Sequence, residues 1–383
     1  MSLLLIDEEV IRTCCFTTKP SQGYRINWQI TSLCNWACKF CFLTPSLPDL
    51  RTREVIDIID IIRNSNINVS DILLGGREPL VRKDIEIVVR HIYESNLKLS
   101  ISTNGSNIES LRRLMRYSEA IRAVNLSVFS HKPLLNDRIS GTGSGTLQGI
   151  QESVDCLHSN GVDIKINIPL SGFNIKELDK ALAYVAKLGV HKVSLSPILY
   201  LEEHPKNTCT KTNILDLSNT NYYTELTKAC EEHNMVVVPV RIRLLKTQKW
   251  LESCPSGTKI LSILSDGTIV PCNLMPKDSI YNSGGFSFNA LTSDFAERIE
   301  YLHRTFSMEN LSIQQDIGKV SSQLLRIGGG CRAVISSESK TNGNHSRFEH
   351  FFEYLRTEPE NLRDSTLKNH HDCIYQFSES EMY

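Results

Sequence analysis

The sequence predicts an α/β fold built on a parallel sheet, and three observations predict it. Between residues 24 and 197, short β-rich runs alternate with stretches whose apolar residues recur at helical spacing. Six such runs are separated by segments long enough for the helical crossovers that parallel strands require. Each run ends in a loop carrying Gly, Asn, Ser or Cys. Such a chain forms either an open doubly wound sheet or a barrel, and in a barrel those loops share the face where catalytic groups collect.

The elements follow in order. Residues 25–30 alternate polar and apolar side chains and read as the first strand; residues 54–63 follow as a helix. Further strands are expected at 71–74, 97–102, 123–128, 162–168 and 192–196, with helices over 82–95, 109–117, 147–159 and 175–187. Beyond Pro197 the pattern weakens. Residues 199–219 read as a polar linker or lid, 222–233 as a helix and 235–239 as a strand. Asp266-Gly267 lies between two β-rich runs, a strong hairpin signal. That hairpin would bring Cys254 and Cys272 near its open end. After Lys340 the chain is polar, with one aromatic patch at 348–355 expected to dock as a helix.

Composition restricts the function. A chain of 383 residues with 40% hydrophobic content buries a large core and a smaller one. A formal charge of -1 gives no basic excess for nucleic acid or an anionic membrane. The N-terminal apolar run lacks a basic flank and a cleavage site, and no later segment has the length of a membrane span, so a cytoplasmic protein is expected. Twelve cysteines are too sparse for a disulfide scaffold in a chain this long. Clustered cysteines in a reducing compartment point to metal.

Cys34, Cys38 and Cys41 form a C-x3-C-x2-C triad directly after the first strand. Three thiolates are one ligand short of a closed zinc site or a fully ligated 4Fe-4S cluster. Either a zinc knuckle draws a fourth ligand from elsewhere, or an iron-sulfur cluster keeps one iron open for a reactant. The second strand leads into Gly75-Gly76-Arg77-Glu78-Pro79, the third into Ser102-Thr103-Asn104-Gly105, and the fourth contains Leu126-Ser127-Val128-Phe129-Ser130.

In this order, these motifs resemble the radical S-adenosylmethionine (SAM) superfamily over most of residues 26–197. The resemblance implies a partial (β/α)6 TIM-like barrel. It also implies a 4Fe-4S cluster on the triad, with the amino and carboxylate groups of SAM on the fourth iron. One electron then cleaves SAM reductively to a 5'-deoxyadenosyl radical, which abstracts a substrate hydrogen. Phe40 matches an aromatic set against the adenine. Gly76, Arg77 and Glu78 match the G-G-E-P stretch beside the methionyl amino group, Arg77 replacing the second glycine. Asn104 and Ser127 match polar contacts to the ribose and methionyl carboxylate. Residues 136–146 resemble an H-D-x-x-R-G-x-G-S stretch, with Asn136 for the histidine and Ser140 for an arginine that Arg138 could replace. The bare residues read there as a Gly-rich loop opening the next helix. Asn167 and Asn174 are weaker candidates for the same cleft.

Further on, Cys254-Pro255-Ser256-Gly257, Asp266-Gly267 with Pro271-Cys272, and Gly329-Gly330-Cys331-Arg332-Ala333 resemble a SPASM or Twitch extension in reduced form. This implies one auxiliary 4Fe-4S cluster on Cys254, Cys272 and Cys331, its fourth ligand being Cys373, a non-cysteine group or substrate. The chain divides accordingly into an N-terminal segment (1–23), a radical SAM core (24–200), a linker with a bridging helix and strand (201–250), a SPASM/Twitch-like domain containing the hairpin (251–340) and a tail (341–383). Cys209, Cys230 and Cys373 are candidates to return a hydrogen to an inverted stereocentre. Cys156 reads as core, and Cys14 and Cys15 fit no ligand spacing.

The substrate class implied is a ribosomally synthesised peptide, crosslinked or epimerised. The alternatives are dehydrogenation or epimerisation of a small molecule such as an aminosugar, activation of a protein partner, and a non-catalytic cluster scaffold. An external flavodoxin- or ferredoxin-type electron donor is expected. The 23 residues before Tyr24 are too few for a winged-helix leader-binding domain, so leader recognition is expected from a separate leader-peptide-binding protein or from another surface.

Overall fold

The computed structural model describes residues 23–38, 40, 41, 43, 47–198, 228–239, 256–273, 289–292, 295–300, 302 and 303. Among these residues the architecture is one nine-stranded sheet. Its strands are β1 (Tyr24–Thr31), β2 (Val69–Gly76), β3 (Leu99–Thr103), β4 (Ile121–Ser127), β5 (Asp163–Leu170), β6 (Lys192–Pro197), β7 (Val236–Pro239), β8 (Ile260–Ile263) and β9 (Ile269–Val270). The helices between them are α1 (Thr52–Asn64), α2 (Ile85–Glu94), α3 (Ile108–Leu114), α4 (Pro133–Ser140), α5 (Thr146–Ser159) and α6 (Leu178–Lys187).

Strand order decides between the two expected architectures. The sheet runs β7-β6-β5-β4-β3-β2-β1-β8-β9, so β1 to β7 lie side by side in chain order. A doubly wound sheet reverses its order at a switch point; from β1 to β7 this one does not, and its successive crossovers wind one way round as in a barrel. Neighbours from β7 through β8 pair in parallel, and β9 turns back antiparallel on β8. The outer strands β7 and β9 do not join, so the barrel is partial.

The two faces of the sheet differ because successive strand residues alternate sides. Trp28, Leu74, Ile101, Leu126, Ile166 and Leu195 are at most 1% exposed and pack with the helices. From those helices Val55, Ile58, Val88, Ile92, Ile150, Val154, Leu182 and Val185 complete one apolar core. Burying each such side chain contributes roughly 1.5–3 kcal/mol. The other face carries Asn27, Gln29, Asp71, Gly75, Ser100, Ser102, Asn125, Ser127, Asn167, Ser194 and Ser196, aligned across the sheet by its register.

Three differences from the sequence reading have physical causes. Six parallel strands were expected, but β7 and β8 extend the same sheet, β8 through a parallel register of Arg25–Trp28 with Ile260–Ile263. The Asp266-Gly267 hairpin exists as β8 and β9, with Gly267 at φ +84, and its first strand lies against β1. Residues 133–140, outside every helix expected from periodicity, form α4, which begins with Pro133 in its first turn and ends at left-handed Gly141, φ +69. The second helix starts at Ile85 because residues 79–81 form a 3-10 turn with Glu78 as its cap.

Candidate active site at the cysteine loop

The triad sits on the loop joining β1 to α1, and that loop is closed at both ends. Asp49 accepts from the Thr31 hydroxyl and, at 2.6 Å, from the Ser32 backbone N–H. The Arg82 guanidinium, 8% exposed, donates to Ile30 O at 2.8 Å and Leu50 O at 2.8 Å. A single side chain thereby holds the departure and the return of the loop. Asp84 holds Arg82 in turn, at 2.7 Å from Nε.

Polar groups from the next two strand ends fix the side of the loop facing them. Glu78 N donates to Leu33 O at 3.0 Å, and Arg77 Nη1 donates to Leu43 O at 3.1 Å. Asn35 accepts from Asn104 Nδ2 at 2.9 Å and donates to Ser106 Oγ at 2.7 Å. On the far side the contacts are apolar and backbone. Trp36 stacks edge-on against Phe129, ring centres 5.7 Å apart, and Phe40 meets the same ring at 5.1 Å. With Ile139 these form a second small core, against which Cys34 and Cys38 pack. Ala37 N donates to Ser140 O at 2.9 Å, and a Cβ on Gly141 would lie 2.5 Å from Ala37 O. Gly141 is therefore required both by its positive φ and by the loop resting on it.

Burial pushes the Cys34 and Cys38 thiols above the ordinary thiol range. The neighbouring Cys41 and Cys34 raise Cys38 further, while the Trp36 N–H, 3.3 Å from Cys34 Sγ, favours that thiolate. Arg77 favours the thiolate at both cysteines. These thiols need a positive partner to ionise, which a metal centre supplies.

The other residues singled out by sequence fall into distinct situations. The Glu78 carboxylate is fully buried and accepts from Leu80 N at 3.0 Å, Thr103 Oγ1 at 2.6 Å and Asn104 N at 2.7 Å. Burial still outweighs those bonds and carries its pKa from 4.5 to about 7. The missing side chain of Gly76, φ +102, makes room for Gln29, whose Cγ would lie 2.4 Å from a Cβ; the close approach is strand to strand. Asn104 spends its side chain on Asn35 and Ser106. Asn136, inside α4, accepts from Phe129 N at 2.8 Å and Ser130 N at 3.1 Å, and its Nδ2 donates to Thr146 Oγ1. Ser140 is buried and bonded to Asp137 O at 2.9 Å, whereas Arg138 is exposed. Helix positions two apart do not face each other, so Arg138 does not occupy the place of Ser140. Asn174 ties β5 to Phe129 O at 3.0 Å.

Ser127 and Asn167 share a row of the polar sheet face. Cys230 is buried in the main core, its thiol pushed up to about 12, and Cys156 packs against that core. Cys272 follows β9 and packs against the main core. Cys14, Cys15, Cys209, Cys254, Cys331, Cys373 and the aromatic patch at 348–355 lie outside the described residues. Sequence reasoning missed Arg82, Asp49, Asn35 and the Trp36–Phe129 contact. Only the alternation of Asn27 and Gln29 with apolar neighbours in β1 carried a signal for the polar face.

A family model for the radical SAM superfamily matches residues 28–195. That span is a radical SAM domain. A probable GTP 3',8-cyclase from Thermococcus kodakarensis is 31% identical over 180 residues, 45% of this chain and 55% of the relative. A mycofactocin maturase, MftC, from Mycolicibacterium smegmatis is 26% identical over 43% of this chain and 42% of its own length. The chain spans about half the length of the cyclases it matches. Among solved structures, native anSMEcpe with bound AdoMet and a peptide aligns with a TM-score of 0.63 at 17% identity, covering 89% of this chain and 99% of that one. Streptococcus suis SuiB bound to precursor peptide SuiA aligns with a TM-score of 0.57 at 17% identity, covering 72% and 64%. These structural likenesses establish the shared fold.

The match of residues 28–195 to the radical SAM superfamily implies a 4Fe-4S cluster and SAM, and the residues present fit both. Three half-buried thiols share one loop fastened at both ends. The polar sheet face of the radical SAM domain holds buried atoms with no partner among the described residues: Asn27 Oδ1, Gln29 Nε2 and Asn125 Oδ1. An unpaired buried polar atom is costly, and a ligand lying on this face would satisfy these three. Among the described residues, no helix is long and apolar enough to cross a membrane.

Proposed function

We propose that this chain reductively cleaves SAM and removes a hydrogen atom from an amide-bearing substrate, a ribosomally made peptide. The observation that carries the substrate class is the polar sheet face, where Asn27 and Asn125 offer unpaired acceptors and Gln29 an unpaired donor. A peptide backbone presents N–H and C=O groups that complement both kinds. When bound, the cluster and SAM supply one electron and the 5'-deoxyadenosyl radical that takes the hydrogen.

The chain's own residues do the positioning. Cys34, Cys38 and Cys41 hold three irons, Trp36 and Phe129 exclude water beneath them, and Phe40 offers its ring to the adenine. Ser127, in the row beside Asn167, is the polar contact proposed for the methionyl end. Gln29 and Asn125 orient the substrate amide, and orientation of the reacting hydrogen is the protein's main lever on rate. A flavodoxin- or ferredoxin-type donor and a separate leader-binding protein complete the proposal. We also propose one auxiliary 4Fe-4S cluster on Cys254, Cys272 and Cys331; the attachment of the Cys272 hairpin to β1, the strand that leads into the triad, supports it.

The test uses anaerobically reconstituted, reduced protein with SAM and a short peptide encoded beside its gene. Peptide should accelerate formation of 5'-deoxyadenosine, and the peptide should lose two hydrogens or take up solvent deuterium. Cys38→Ala should abolish both. No 5'-deoxyadenosine from wild type refutes the catalytic reading. A second reading, a nucleotide or other small-molecule substrate, is favoured by the relatives named as GTP 3',8-cyclases; acceleration by GTP in place of the peptide supports it.

A further inference from the structure

We infer that Arg77 tunes the redox potential of the cluster on the cysteine triad, acting as a positive charge and N–H donor beside it. This rests on the proposed function above. Adjacent residues on the extended segment after β2 point in different directions: Glu78 is consumed by β3, whereas Arg77 reaches the cysteine loop and donates to Leu43 O at 3.1 Å. That contact uses Nη1. Arg77 Nε is buried and has no partner among the described residues. A guanidinium donor left unpaired costs free energy unless an acceptor arrives. The chain bonds Leu33 O to Glu78 N at 3.0 Å, so the segment carrying Arg77 is fixed directly alongside the residue preceding Cys34.

Three thiolates and a cubane carry net negative charge, and accepting one electron adds another. A fixed cation nearby therefore favours the reduced form, and hydrogen bonds to cluster or thiolate sulfur act in the same direction. Arginine keeps its charge at every relevant pH, so the effect is constant. The electron comes from the external donor of the proposed function and stays on the cluster; no bond is made or broken in this step. Arg77 is thus a redox-tuning residue.

The test is an EPR-monitored redox titration of the full chain, reconstituted with iron and sulfide, without SAM. Arg77→Gln and Arg77→Gly should lower the reduced fraction about tenfold at a fixed solution potential, ~59 mV for a one-electron couple. Iron and sulfide content should stay at the wild-type level. Arg77→Lys, which keeps the charge, should stay within about threefold of wild type. An intact cluster with an unshifted midpoint in Arg77→Gln overturns the inference and leaves the proposed function standing. An unshifted midpoint with weakened SAM binding also overturns it, making Arg77 a SAM ligand. If Arg77→Gln fails to load, Arg77→Lys decides: a midpoint near wild type supports the inference and a tenfold loss overturns it. A wild type that loads no cluster overturns both readings.

Discussion

The two sides of the cysteine loop are built from different interactions. Toward β2 and β3, Glu78, Asn104 and Arg77 donate to Leu33, Asn35 and Leu43, and Asn35 donates to Ser106. Toward α4, the loop rests on aromatic rings, one backbone bond and a glycine. The polar side sets direction, because each bond has one geometry, and it responds to pH through Glu78. The apolar side sets depth, because ring packing is worth more energy than any one of those bonds but specifies less. Holding the proposed cluster at a fixed depth and angle to the polar sheet face requires both.

Removing the apolar side should have the largest effect. Phe129→Ala deletes a ring that is 2% exposed and touches both Trp36 and Phe40, so a loss of about 3–5 kcal/mol is expected in denaturant unfolding, together with poor cluster loading. Gly141→Ala attacks the same side through the backbone. Its Cβ meets Ala37 O in a left-handed conformation, and a cost of about 1–3 kcal/mol should appear with unchanged far-UV circular dichroism.

The polar side should give a pH signature that the apolar side lacks. Because the folded-state pKa of Glu78 is raised, the folded protein binds a proton that the unfolded chain releases between 4.5 and about 7. The stability associated with protonated Glu78 is complete below 4.5 and is lost as pH rises through 7, by up to about 3 kcal/mol. Glu78→Gln removes that slope. It also puts an amide donor where one of three backbone or hydroxyl donors now points, costing about 1–3 kcal/mol at low pH. A variant whose stability keeps the wild-type slope across this interval assigns the pH dependence to another group. The smallest effect belongs to exposed Asn35: Asn35→Ala should cost about 0.5–1 kcal/mol or less, yet slow cluster assembly by loosening the loop from Asn104.

The same contrast separates what was legible in the sequence from what was not. Strands β1 to β6 could be read because most of their apolar residues alternate toward the helices, with Leu73 and Ala123 as exceptions on the polar face, and the triad because three cysteines at fixed spacing have few other uses. Helix α4 was hidden because its pattern is inverted: Leu134 is 85% exposed, while Asn136, Asp137 and Ser140 are buried against the site. Its polar residues face inward to hold Phe129, Ser130 and Thr146, so no apolar stripe marks it. The pairing of β8 with β1 was equally hidden, since a register between residues about 235 apart leaves no local trace. At Gly76 the structure shows a neighbour the sequence does not reveal, Gln29, which takes the space a Cβ would fill.

The central claim is that the triad carries a 4Fe-4S cluster with one iron open to SAM. EPR of the dithionite-reduced, reconstituted chain, recorded before and after adding SAM, tests it most directly. A 4Fe-4S signal that changes shape with SAM is expected, and that change should vanish in a Cys34/Cys38/Cys41 triple alanine variant, with the loss of about four irons per chain. A spectrum indifferent to SAM, or a triple variant that retains the wild-type iron content and signal, would contradict it.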